Sequence, residues 1–290
     1  MTANMKKYLD KIEIELDGNT LNEIAMLGSG QDLFISAGCS WTRAWGADDA
    51  WGHQNETRHT WKDNLDFLQH NSFSGLLAQH LNLSAMVVLA VPGSNNDTQS
   101  RLIVEFLQKN RHKFGRVFVM WGITSHLRWE LYSNSIDAPS GFTVGNKLAP
   151  GKEEERNWYL YHHWNEKFEL ERLGQKIVTT HAYLKMLDVD HVFFPVFESF
   201  TQDLMNLDNI AARNFFGLDN NPNDMMSLWC QQENIKRPKN VLSNAFNSKD
   251  KQKLIQLIER GYLEPITAHP NTKGHRDIAD KLIAHLDQHQ

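Results

Sequence analysis

Leu33-Phe34-Ile35-Ser36-Ala37-Gly38-Cys39-Ser40-Trp41-Thr42 is the stretch whose reading decides the fold. Its first five residues are apolar but for Ser36, and they stand between Gly28 and Gly30 on one side and Gly38 on the other. That is the pattern of a short buried strand. Open α/β sheets place their active sites just beyond the C-terminal ends of such strands. Gly38 lets the backbone turn sharply there, and Ser40 is then presented at the crevice. Taken alone, the same residues also describe a strand that ends in a plain Gly-Ser turn. Two later stretches decide between the readings.

Working outward, the chain of 290 residues has the ordinary balance of a globular protein, 41% hydrophobic and 22% charged. A net charge of −5 without a basic tract leaves no footprint for a nucleic-acid backbone. Two cysteines, Cys39 and Cys230, make no disulfide framework, which fits a reducing, cytoplasmic setting. The first residues carry mixed charge rather than the apolar run of a signal peptide. No apolar run approaches the ~20 residues that span a bilayer, so no membrane partner is expected.

The periodicity alternates strand and helix. Residues 12–16 alternate like an edge strand, and residues 21–27 read as a short helix. Strands follow at 33–37, 85–91, 116–121 and 191–196, with helices at 72–81 and 96–109 between the first three. Short links between strand, helix and strand are the βαβ signature of a parallel sheet. Glu153-Glu154-Glu155 reads as the first turn of a long helix reaching about Leu187. Further helices are predicted at 250–260 and 271–286. Two segments break the rhythm, about 133–156 and 199–247; both read as insertions into one domain spanning 1–290, since neither looks able to carry a core alone.

The second informative stretch is Glu264-Pro265-Ile266-Thr267-Ala268-His269-Pro270-Asn271-Thr272-Lys273-Gly274-His275. His269 falls just before the last helix, whose N-terminus faces the same sheet edge as Ser40. A histidine so placed can take the serine proton and return it to a leaving group. His275, one turn into the helix, reads as a packing residue. The third stretch is Pro92-Gly93-Ser94-Asn95-Asn96-Asp97, after another strand end. There the Gly93 amide and an Asn side chain can point into the crevice as donors for a tetrahedral oxyanion.

In order, these three stretches resemble the SGNH/GDSL hydrolase superfamily. That resemblance implies a three-layer α/β/α, flavodoxin-like fold with a parallel sheet of about five strands. It implies an esterase acting without a cofactor through an acyl-Ser40 intermediate. Gly38-Cys39-Ser40 is similar to a Gly-Cys-Ser variant of the first block, and His269-Pro270 with Gly274-His275 to the last, with His269 as the base. The Ser40 amide and Gly93 would then line the oxyanion hole. The third block departs: where the family has Gly-x-Asn-Asp, this chain has Gly122-Ile123-Thr124-Ser125, so Asn95 or Thr124 must supply the missing donor. The last block departs too, because Ile266 and Thr267 occupy the positions of the family's aspartate. The triad acid is then Glu264 folding back, Glu198 from the end of the 191–196 strand, or absent in a Ser-His dyad.

The substrate implied is a small ester, including an acetyl ester of a saccharide. The rival readings are an O-acyltransferase using the same residues and an inactive glycan-binding or structural module. Trp41, Trp45, Trp51, Trp61, Trp121, Trp129 and Trp158 crowd these loops, as core or lid packing in the main and as sugar platforms in the minority. Arg128 and Glu130 read as a surface ion pair ahead of a substrate contact. His162-His163 lacks partners at metal-ligand spacing, and Gly28-Ser29-Gly30 precedes a strand rather than following one, so neither a metal nor a nucleotide is expected.

Overall fold

The computed structural model describes residues 7–9, 12–15, 25–44, 69–91, 93–133, 138–143, 158, 161–200, 207, 209–220, 222–238, 251–264 and 269–289. In chain order the strands are β1 (Lys7–Leu9), β2 (Ile12–Ile14), β3 (Ala25–Gly28), β4 (Leu33–Ala37), β5 (Ala85–Val88), β6 (Val117–Ile123), β7 (Arg128–Ser133), β8 (Ala138–Thr143) and β9 (Asp190–Pro195). The helices are α1 (Phe73–His80), α2 (Asn96–Asn110), α3 (Glu166–Met186), α4 (Met225–Gln232), α5 (Lys251–Glu259) and α6 (Thr272–Gln288).

The central sheet has the order β3-β5-β4-β6-β9. β4 runs parallel to both β5 and β6, with Ala37 opposite Trp121, and β6 runs parallel to β9. Taken in chain order, the parallel strands lie 2-1-3-4, the beginning of the flavodoxin-like order. The winding reverses between β4 and β6, and at that point the helices leave a crevice at the C-terminal strand ends.

Alternation along each strand sends side chains to two separate cores. Phe34, Phe118, Met120 and Phe194 pack with α1, α4, α5 and α6 on one face. Ile35, Val119, Trp121 and Phe193 pack with α2 and α3 on the other. Helices on both faces explain why β4 and β6 are buried along their whole length. The three-layer α/β/α class is the one the sequence implied.

Some details differ. The sheet has five strands, but only four are parallel: β3 is antiparallel to β5 and closes its edge. Ala25–Gly28 was expected to be helical; its short apolar run suits either state, and pairing with an otherwise open strand edge decides for the strand. Residues 138–143 form β8, antiparallel to β7, despite Pro139 and Gly141. A two-stranded ribbon leaves an outward edge where a proline withholds nothing from a ladder. α3 begins at Glu166, capped by the Asn165 side chain; Glu153–Glu155 lie outside the described residues. In the second insertion α4 is capped by Asp224 and buries Met225, Met226 and Trp229 in the core. No described helix is long and apolar enough to cross a membrane.

Ile35 is fully buried at the centre of the sheet. Ile35→Ala is expected to cost about 2–5 kcal/mol through the cavity it leaves. Urea unfolding monitored by circular dichroism measures that loss.

Candidate active site

β4 ends in a peptide unit held on both sides. Gln99, wholly buried on α2, accepts the Gly38 N–H on its Oε1 at 2.8 Å. Its Nε2 donates to Ser94 Oγ at 2.8 Å, and Ser94 Oγ donates to the Gly38 carbonyl at 3.0 Å. Gly38 takes φ 152°, and a Cβ there would run into the Thr42 side chain. The chain then folds into a tight turn in which Arg43 N–H donates to Cys39 O and Ala44 N–H to Trp41 O. Cys39 is turned fully into the core, which leaves Ser40 as the residue facing the crevice, 6% exposed.

His269 reaches that serine, 229 positions away in sequence. Its Nε2 lies 2.8 Å from Ser40 Oγ. Two features position the ring. Asn271 caps α6 through Gly274 N–H, which sets the start of the helix. Upstream, Leu263 and Pro270 form an antiparallel bridge, and Glu264 N–H donates to the His269 carbonyl at 2.8 Å. That register sets Glu264, itself buried, opposite His269. Directly opposed residues of an antiparallel pair project to the same face.

The other sequence-derived candidates line the same rim. Gly93 lies in the turn after β5 with φ 75°, a conformation suited to glycine. Asn95 is buried and caps α2, its Oδ1 accepting Thr98 N–H at 2.8 Å, which leaves Nδ2 as a donor. Asn96, from the same stretch, clasps the end of β6: its Nδ2 donates to Thr124 O and its Oδ1 accepts Thr124 N–H. Thr124 Oγ1 is buried without a hydrogen-bond partner. Ser40 and Thr124 each stand three residues beyond the paired Ala37 and Trp121, at one level of adjacent strands.

Glu198 goes elsewhere. Its Oε1 accepts Ser125 Oγ–H at 2.5 Å, and its Oε2 lies 2.6 Å from His126 Nδ1. Both oxygens are therefore held at the end of β6. Burial would lower the affinity of His126 for a proton, but the Glu198 carboxylate against its ring outweighs this and raises it. Burial would likewise raise Glu198, yet the His126 ring and the Ser125 hydroxyl hold it below the usual carboxylate range. His275 is fully buried, stacked on Phe73, and burial pushes it down to about 3, so it is a neutral packing group.

The aromatic set divides. Trp41 is core, stacked on Trp229 and edge-on to Phe197, and Trp121 is buried against Phe193. Trp158 is exposed beside His162 and His163. Trp45, Trp51 and Trp61 lie outside the described residues, as does the Trp129 side chain. The Arg128 guanidinium lies over the Phe197 ring, 5.4 Å from the centroid, and the side chain of Glu130, its expected partner, lies outside the described residues. Among the described residues no group of three or more His, Cys, Asp or Glu side chains is placed to hold a metal ion. Gln99 carries no signal in the sequence, because an amide reaching a backbone 61 residues away leaves no local periodicity.

No protein-family model matches the chain, and no curated protein does. Solved structures similar to it include a mutant acetyl-xylooligosaccharide esterase from Geobacillus Stearmophilus, 13% identical, covering 89% of this chain and 95% of that one with a TM-score of 0.39. Another is a member of the lipolytic protein G-D-S-L family from Veillonella parvula DSM 2008, 12% identical, covering 87% and 96% with a TM-score of 0.31.

Two outcomes follow from these contacts. Gln99→Met strands the Gly38 N–H in the core, and a buried unsatisfied donor costs about 1–3 kcal/mol, to be read from urea unfolding. The His126–Glu198 pair also makes stability pH-dependent. His126 is raised above 6.5, so its contribution is complete below that value and is lost as pH rises through the raised one. Glu198 is lowered below 4.5, so its contribution is complete above that value and is lost as pH falls through the lowered one. His126→Gln is therefore expected to destabilise more at about pH 5.5 than at about pH 8.5.

Proposed function

We propose that this protein is a serine esterase that hydrolyses a small ester through an acyl-Ser40 intermediate. One observation carries the reading: the 2.8 Å contact between Ser40 Oγ and His269 Nε2 at the crevice of a doubly wound sheet. For Nε2 to accept the serine proton, Nδ1 must carry the other ring proton. Ser40 Oγ attacks the ester carbonyl as Nε2 takes its proton, forming the C–O bond of a tetrahedral intermediate. The negative oxygen is met by the Ser40 and Gly93 amides and Asn95 Nδ2, with the Thr124 hydroxyl at the next strand end. The C–O bond to the alcohol then breaks, and His269 returns the proton to the leaving oxygen. Water, deprotonated by the same nitrogen, attacks the acyl-enzyme and frees the acid.

Glu264 is the acid this reading favours for His269. It is buried, sits opposite the histidine across the bridge, and projects to the same face. Glu198 is the weaker alternative, since Ser125 and His126 already occupy both of its oxygens. An acetyl ester of a saccharide fits the proposal, and the crevice needs no cofactor for this chemistry. Acyl transfer to a sugar hydroxyl would use the same steps with water kept out.

A fluorophosphonate probe and p-nitrophenyl acetate test the assignment. Wild type is expected to be labelled, and Ser40→Ala and His269→Ala to lose labelling and hydrolysis together. Glu264→Gln is expected to lower kcat strongly, towards the ~10⁴-fold loss seen when a triad acid is neutralised. Wild type that resists labelling across pH and cleaves no ester would end the proposal in favour of an inactive module.

A further inference from the structure

We propose that Arg128 is a receptor for a carboxylate on the substrate, so that the ester this enzyme turns over is anionic. The proposal rests on the reading of Ser40 as nucleophile. Its evidence is a concentration of unanswered donors. From the end of β6 into the next turn, Thr124 Oγ1, His126 Nε2, and both Nε and Nη1 of Arg128 are buried without a hydrogen-bond partner. Buried polar groups are nearly always satisfied in native proteins, and a set left open at a crevice calls for an acceptor-rich ligand.

Arg128 makes that ligand an anion. A guanidinium carries five N–H donors and a charge that never leaves. Its Nε and Nη1 have no hydrogen-bond partner, and among the described residues the guanidinium has no ion pair. Glu198 is withdrawn from it by Ser125 on one oxygen and His126 on the other. The one partner Arg128 does have, the Phe197 ring, covers a face of the guanidinium, whereas its donors point outward in the plane. His126 Nε2 faces the Glu166 carboxylate at 3.6 Å, whereas Arg128 has no carboxylate partner among the described residues.

The place is right for substrate recognition. Phe197, under Arg128, packs edge-on against Trp41 with ring centroids 4.8 Å apart, and Trp41 follows Ser40. One aromatic ring therefore separates the guanidinium from the residue next to the nucleophile. Arg128 N–H also donates to Ser125 O at 3.1 Å, which ties its backbone to the turn after Thr124. A planar carboxylate matches the guanidinium fork. It can belong to the acyl part of the ester or to the alcohol part, as in a uronic acid.

The test compares wild type with Arg128→Met, whose stem still covers Phe197, and with Arg128→Lys. Substrates are p-nitrophenyl acetate against p-nitrophenyl hemisuccinate, and acetylated xylooligosaccharide against acetylated oligogalacturonate. Wild type is expected to prefer the anionic member of one pair, and that pair identifies which part carries the carboxylate. Arg128→Met should reduce the anionic-to-neutral ratio of kcat/KM by about 10- to 100-fold, mainly through KM, as loss of a charged hydrogen bond implies. Arg128→Lys should recover part of it. Free succinate and glucuronate should raise the Tm of wild type but not of Arg128→Met. Persistence of that shift in a protein that no fluorophosphonate labels would sink the esterase reading and keep the anion site. Ratios unchanged in Arg128→Met, with no carboxylate-induced shift in wild type, would overturn the proposal.

Discussion

The peptide unit of Gly38 is the point on which the site depends. Its N–H and its carbonyl are both gripped by side chains of the neighbouring βα unit, Gln99 and Ser94, which also bond to each other. The Gly38 carbonyl also accepts Val91 N–H at 3.2 Å, so the strand end is directed by the backbone after β5 together with these two side chains. Both groups are satisfied from one side, below the surface, where water does not compete. The turn that follows is thereby aimed, with Cys39 to the core and Ser40 to the crevice.

The second half of the site is aimed by a different device. His269 stands between a one-bridge hairpin and a capped helix, so the backbone on both sides of it is hydrogen-bonded. α6 packs by Ile278, Ala279 and Leu282 into the same core as Trp41 and Trp229, and Trp229 Nε1 donates to Asp277 of that helix at 2.6 Å. The serine turn and the histidine helix thus share one apolar cluster. A serine and a histidine so distant in sequence keep their contact because each is mounted on the same packed body rather than on a free loop.

The rim of the crevice also carries a tension. Thr124, His126 and Arg128 hold buried polar atoms without a hydrogen-bond partner. Each costs stability in the free protein, in a region where Asn96, Gln99 and Asn110 show that the same fold satisfies buried amides elsewhere with care. Glu198 belongs to the framework side of this contrast, since its carboxylate fixes Ser125 and His126.

Much of this was legible in the chain. The strands around Ile35, Val119 and Phe193, the helix faces of α2 and α6, and the turn residues Gly38, Asn95 and Asn271 all act over a few residues, where periodicity and capping chemistry write directly into sequence. Ser40 and His269 stood out because each follows a recognisable element end. What the sequence left open was decided between distant segments. The antiparallel β3, the clasp by Gln99, the carboxylate of Glu198 on Ser125 and His126, and the guanidinium of Arg128 over Phe197 all depend on which chain lies alongside which. Local propensity is a short-range property, whereas the partner of a buried polar group is chosen by packing, and that choice exists only once the sheet has closed its layers.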